Sequence, residues 1–194
     1  MKLALHACCA PCALEPVDAL SADHDVVLVY ANPNIHPLEE YERRRDALLE
    51  WAHGSGIDVV ELAYEPAAWV DAVGAVGTDP DRRCRACFAL RLSMVARYAA
   101  GHGLEGVATT LTVSPYQDHE AIVEAGQRAC AEERIRFVVT DYRDRYGAAT
   151  RRSRELGMYR QNYCGCVISQ VEAIRAREKR RADRAASRER EVTG

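Results

Sequence analysis

The chain has 194 residues, of which 48% are hydrophobic and 28% charged, with a net charge of −3. That length suits one substantial domain, and the composition is that of an ordinary globular protein, with no apolar run near the roughly 20 residues of a membrane span. The short lead into the first cysteines does not make a signal peptide, so the expected location is the cytoplasm, where clustered thiols serve metal or redox chemistry more often than disulfides.

Leu3–Ala7 is a short apolar run that reads as a buried first strand. It ends in Cys8-Cys9-Ala10-Pro11-Cys12, where Pro11 suits a first helical turn and Ala13, Leu14, Val17 and Leu20 supply an apolar stripe. Asp25–Ala31 reads as a second strand, stopped by Asn32-Pro33-Asn34, and Pro37–His53 as a charged helix. Ile57–Ala63 is expected to be a third strand, Glu65–Val73 a short helix and Gly74–Arg83 a loop. Cys84–Gly101 reads as a long helix burying Phe88, Leu92 and Val95. Glu105–Val113 follows as a fourth strand, Gln117–Glu133 as a helix and Ile135–Thr140 as a fifth strand. A basic, irregular stretch is then expected up to Cys166, and a final helix from near Val167 into an Arg-rich tail.

Five apolar strands alternating with helices predict a single three-layer α/β domain over residues 1–174, Rossmann-like, with a mainly parallel sheet. Residues 175–194 form a charged, basic helical tail. Ligands of such sheets lie beyond the carboxyl ends of the strands. That rule puts Cys8–Cys12, Asn32–Asn34, Thr110–Ser114 and Asp141 on one rim.

Seven of the eight cysteines fall in three clusters, Cys8/Cys9/Cys12, Cys84/Cys87 and Cys164/Cys166, and only Cys130 stands apart. Cys8 and Cys9 sit at a strand-to-helix turn, and Cys84-x-x-Cys87 at the expected start of a helix. Unpaired N–H groups and the helix dipole there favour thiolate. Four thiolates suit either a structural zinc or an iron–sulfur cluster. A bridge across the single residue of Cys164-Gly165-Cys166 would close a small, easily reduced ring, so the pair reads as a reversible two-electron store, with metal binding or packing as the alternative. Cys12 is left over, as a third ligand, a ligand to a second metal, or core filler. Cys130 reads as core filler and His6 as a buried neutral imidazole.

Asp118 and His119 are rim candidates for proton transfer, although helix capping explains Asp118 equally well. Asn34 and Arg83 could line the pocket, and Tyr116 and Tyr163 could stack on a base. The charge is uneven. From Arg143 to Arg160 six Arg face Asp144 and Glu155, and from Arg175 to Glu191 eight Lys/Arg face four Asp/Glu. Such asymmetry permits a polyanionic partner.

Four ordered motifs carry a resemblance. They are His6-Ala7-Cys8-Cys9-Ala10-Pro11-Cys12, then Arg83-Cys84-x-x-Cys87-Phe88-x-x-Arg91-Leu92, then Thr109-Thr110-Leu111-x-Val113-Ser114-Pro115-Tyr116-x-Asp118, and Tyr163-Cys164-Gly165-Cys166-x-x-Ser169. From about Lys2 to Ser169 the chain resembles the QueH-type epoxyqueuosine reductases. The resemblance implies an adenine-nucleotide hydrolase-like fold and reduction of an epoxide on a modified tRNA wobble base to an alkene and water. It implies a [4Fe-4S] cluster on Cys8, Cys9, Cys84 and Cys87, and an additional mononuclear iron, for which Cys12 and Asp118 are the candidates. It further implies a redox-active Cys164–Cys166 pair, a tRNA substrate bound through the anticodon loop, and an electron donor such as a reduced flavodoxin or ferredoxin. No glycine-rich phosphate motif follows the first strand, so no nucleotide cofactor is expected. Two other classes compete: a zinc-stapled RNA-binding module whose cysteines do no chemistry, and a thiol–disulfide electron carrier.

Overall fold

The computed structural model describes residues 1–193, with their side chains except those of Ala186 and residues 188–193. Five strands form one all-parallel sheet in the order β3-β2-β1-β4-β5: β1 (Lys2–His6), β2 (Asp25–Tyr30), β3 (Val59–Glu61), β4 (Gly106–Thr109) and β5 (Arg136–Phe137). The central strand β1 is buried on both faces, which is why it reads as an unbroken apolar run. Leu3, Leu5 and Ala7 join the layer formed by α1 (Ala10–Leu20) and α2 (Leu38–Gly54), together with Leu28 and Tyr30 of β2. Ala4, Val29 and Val107 point to the other layer, built from α4 (Pro80–Gly101) and α5 (His119–Glu132) through Phe88, Leu92, Val95, Ile122 and Ala129. Each buried leucine of β1 contributes about 1.5–3 kcal/mol. The three-layer architecture is that expected from the sequence.

Strands β3 and β5 are shorter than expected at the sheet edges, and three further differences each have a local reason. Asp79 accepts a hydrogen bond from the Arg82 N–H, and Pro80 occupies the first turn, so α4 starts inside the stretch read as a loop. Strand β4 stops at Thr109, whose hydroxyl accepts from the Leu111 N–H and turns Thr110–Val113 into a 3₁₀ helix. The basic stretch read as irregular contains α6 (Tyr146–Glu155), which packs on α1. Between β3 and α4 lies α3 (Pro66–Gly74), whose Trp69 and Val73 pack with Cys87 and Cys166. The last helix, α7 (Val167–Thr193), carries the basic tail; Gly194 lies outside the described residues. No described helix is long and apolar enough to cross a membrane.

The chain moves outward from β1 through β2 to β3, returns to β4 on the other side of β1, and ends at β5. The order therefore reverses between β1 and β4, and a crevice opens there beyond the strand ends.

Candidate metal centre

Two threonines and a histidine define the floor of this crevice. His6, at the end of β1, is fully buried, and its Nδ1 lies 2.8 Å from Thr109 Oγ1. Burial first, and then the Arg91 charge, hold it neutral, with a pKa lowered to about 3. The burial of His6 is as expected. Thr110 accepts from the Cys8 N–H at 3.1 Å and donates to Cys8 Sγ at 3.4 Å.

Cys8 and Cys9 lie between β1 and α1, and Cys12 is in the first turn of α1. Their Sγ atoms stand within 4.8 Å of one another, with Cys8 and Cys9 at 3.8 Å. Pro16 has no N–H, so the Cys12 carbonyl lacks its helical partner in the turn that carries the thiols. Hydrogen bonds from Cys12 and Cys9 hold Cys8 well below the usual thiol range. Cys12 is pushed well above it by its bonds to Cys8 and Cys9. Cys9 receives a bond from Cys12, yet its own bond to Cys8 and its burial push it up to about 12. The lowering at Cys8 comes from its neighbouring thiols, Arg91 and Thr110, and Cys9 moves the other way.

The helix-terminus expectation of thiolate fails for Cys84 and Cys87. Because α4 begins at Pro80, both lie beyond its first turn, and burial raises both thiols. Cys84 packs against the α4–α5 core, with the Arg83 guanidinium 4.0 Å from its sulfur. Cys87 packs with Cys166, Trp69 and Val73. Each of these two thiols feels the charge of the other or of Cys166, and Cys164 feels all three. The structure thus gathers Cys8, Cys9 and Cys12 as one group and Cys87 with Cys166 as another. Cys130 is 1% exposed in the α4–α5 core, the filler position expected of it.

The Tyr163–Cys166 loop is held by its backbone. Arg44, buried on α2, donates to the Cys164 carbonyl at 2.9 Å and the Tyr163 carbonyl at 3.2 Å, while its Nε pairs with Glu40 at 2.7 Å. The His36 N–H donates to the Gly165 carbonyl at 2.9 Å, and the Tyr163 hydroxyl donates to the His36 carbonyl. Gly165 has φ +146°, and a Cβ there would lie 2.9 Å from Asn34 Nδ2 and 3.0 Å from Ile35 Cγ1. Cys164 is exposed and Cys166 buried, and both thiols are free. Cys166 Sγ accepts from the Ser169 N–H at 3.3 Å at the start of α7.

The remaining predicted residues divide. Asp118 caps α5, accepting from the Ala121 N–H at 3.0 Å, and pairs with Arg85 at 3.3 Å. His119 Nε2 lies 3.0 Å from the Thr140 carbonyl. Tyr116 is 84% exposed and meets Tyr146 edge-on. Tyr163 has the Arg44 guanidinium 5.1 Å from its ring centre, and burial pushes its phenol up to about 12. Arg83 is buried against Glu172 at 3.0 Å. Asn34 is buried near Gly165 with both amide atoms unpartnered.

The model of the family described as epoxyqueuosine reductase QueH matches residues 3–172. The chain belongs to that family. Curated relatives named epoxyqueuosine reductase QueH include one from Dehalococcoides mccartyi, 38% identical over 173 residues, covering 88% of this chain and 93% of the relative. One from Histophilus somni is 36% identical, covering 91% and 75%, and one from Thermotoga maritima is 34% identical, covering 87% and 90%.

With the family in place, four side chains stand out that sequence reasoning missed. Gln161 Nε2 approaches Cys9 Sγ at 2.9 Å, and Gln117 Nε2 approaches Cys164 Sγ at 3.9 Å. Arg44 braces the Cys164 loop, and Arg91, buried on α4, reaches Asn32. Only Arg91 had a sequence signal, its fixed place in the Cys84-x-x-Cys87 motif.

Proposed function

We propose that this protein is an epoxyqueuosine reductase, removing the epoxide oxygen of the modified base of tRNA as water and leaving an alkene. The observation that carries this reading is the trio Cys8, Cys9 and Cys12 beyond the end of β1, at the reversal point of the sheet, in a chain of the QueH family that also packs Cys87 with Cys166. Soft, buried sulfur donors fit an iron–sulfur cluster in kind and number. Cys8, Cys9, Cys84 and Cys87 would hold a [4Fe-4S] cluster, and Cys12, which stands with Cys8 and Cys9, is the better-supported ligand of an additional iron. Asp118 could join it only by leaving Arg85 and the α5 cap. When bound, the cluster supplies electrons singly at low potential.

The chain's own residues account for the rest. Opening the epoxide to an alkene and water takes two electrons and two protons. Oxidation of Cys164 and Cys166 to a disulfide releases two of each, so the pair matches the demand. Arg44, His36 and Tyr163 fix the backbone of that pair, and the exposure of Cys164 gives substrate access to it. His119 is the better candidate to hand a proton to the leaving oxygen, because the Asp118 carboxylate is occupied as an acceptor. Tyr116 is the available stacking platform, since Tyr163 is covered by Arg44. Arg143–Arg160 supplies cations for phosphates, and Asn34, buried beside Gly165 with both amide atoms unpartnered, offers polar contacts there. A reduced flavodoxin- or ferredoxin-type protein would restore the electrons.

The test is anaerobic purification and reconstitution with iron and sulfide, followed by incubation with epoxide-bearing tRNA and dithionite and nucleoside mass spectrometry. Loss of one oxygen from the base is expected. Cys84→Ser should lose the cluster, Cys164→Ser should keep it without turnover, and Cys130→Ser should keep both. Stoichiometric zinc without acid-labile sulfide after reconstitution would instead support the zinc-stapled RNA-binding module.

A further inference from the structure

Three arginines are buried around the thiols, and two have carboxylate partners. Arg44 pairs with Glu40 and Arg83 with Glu172. Arg91 has none among the described residues. It is 1% exposed, donates from Nη2 to Asn32 Oδ1 at 2.6 Å, and keeps an unpartnered Nε. The amide of Asn32 is turned toward it because its Nδ2 donates to the Ala7 carbonyl at 2.9 Å. A guanidinium does not give up its proton, so Arg91 is a permanent positive charge taken out of water. Such a charge is costly unless something anionic faces it.

What faces it is sulfur. Cys87 and Arg91 are one helical turn apart on α4, so they share a face. Asn32, which holds Arg91, is tied to Ala7 beside Cys8, so Arg91 stands between the turn that carries Cys8 and the helix that carries Cys87.

We propose that Arg91 is the counter-charge of the thiolate centre, a positioning residue that draws the two cysteine groups to one anionic site and sets how readily that site accepts an electron. The proposal rests on the cluster reading above. A cluster bound by four thiolates is anionic, and an added electron makes it more so; a fixed cation beside it favours the reduced form. In the metal-free protein no carboxylate among the described residues offsets that buried charge, so the same cation is a liability.

Wild type, Arg91→Lys and Arg91→Gln are reconstituted anaerobically and titrated with dithionite against redox dyes, with the reduced cluster followed by electron paramagnetic resonance. At the wild-type midpoint, the reduced-to-oxidised ratio of Arg91→Gln should fall roughly tenfold, a shift of about 59 mV for one electron, and Arg91→Lys should restore most of it. Metal-free Arg91→Gln should melt no lower than metal-free wild type, and loading should raise its melting temperature less. Loss of the cluster in Gln with retention in Lys also supports the charge role. An unchanged midpoint in Gln, loss of the cluster in both variants, or an equal gain on loading overturns the proposal. If wild type takes up neither iron nor sulfide, the cluster reading fails. The metal-free comparison then decides Arg91 alone, and a lower melting point for Gln would mark it as an ordinary structural residue.

Discussion

Gly165 shows how narrowly the thiol loop is specified. Its φ of +146° suits glycine alone, and a Cβ would press on Asn34 and Ile35 and come within 3.4 Å of Arg44. Backbone strain of this kind costs about 1–3 kcal/mol, and relief would have to come from moving the loop. Gly165→Ala should therefore leave iron and sulfide content near wild type while lowering turnover by roughly tenfold, equivalent to about 1.4 kcal/mol in the barrier. Metal analysis beside a single-turnover assay checks this; unimpaired turnover would mean the loop geometry is not used. The importance of Gly165 is visible in sequence only as the middle of Cys-Gly-Cys. Its real constraints come from residues more than a hundred positions away, which leave no local mark. Gln161 and Arg44 were illegible for the same reason: a glutamine or arginine in a polar stretch looks solvated until a distant sulfur or carbonyl is placed beside it.

At the scale of elements, the centre of the sheet was legible because β1 and β4 are covered on both faces, whereas the half-exposed edge strands β3 and β5 are shorter than their apolar runs suggested. The helices that escaped were those whose signals lay in capping or in few apolar positions. The cap of α4 is Asp79-Pro80, set among charges that looked like a loop, and α6 buries only Ala149 and Ser153. The contact of α5 with β5 is a sensitive joint. A Cβ on Gly126 would fall 2.3 Å from the Phe137 ring, so α5 approaches the two-residue strand only because that position is bare. Gly126→Ala should destabilise the protein by about 1–3 kcal/mol through overpacking. Urea unfolding should show a lowered midpoint with an unchanged slope, and an unchanged midpoint would mean that Phe137 swings aside freely.

For the whole molecule, His6 predicts an acid response. The unfolded histidine takes a proton near the ordinary imidazole value of 6.5, whereas the buried one resists until about 3. Between these values only the unfolded state binds the proton, so stability is full above pH 6.5 and falls progressively as pH drops toward 3. Denaturant titrations of metal-free protein at stepped pH should show this slope, and His6→Gln should flatten it; an equal slope in both would locate the acid sensitivity elsewhere. The charge distribution makes a second prediction. If Arg151, Arg154 and Arg160 contact phosphates, tRNA affinity should fall steeply with salt, and Arg151→Ala should reduce the log–log slope by about one. A slope indifferent to that substitution would move the contact surface away from α6.

The lid over the first thiols arrives late. Gln161 reaches Cys9 across 152 residues, and the loop braced by Arg44 follows directly behind it. During synthesis the sheet strands and α1 to α5 therefore leave the ribosome well before the segment that covers Cys9. A nascent chain passes through an interval in which its oldest cysteines have a finished floor but no roof. On the proposed cluster reading that interval would be open to loading with iron and sulfide, and equally to oxidative damage. Chains stalled before Gln161 should react with a thiol-alkylating reagent at Cys9 far faster than completed ones.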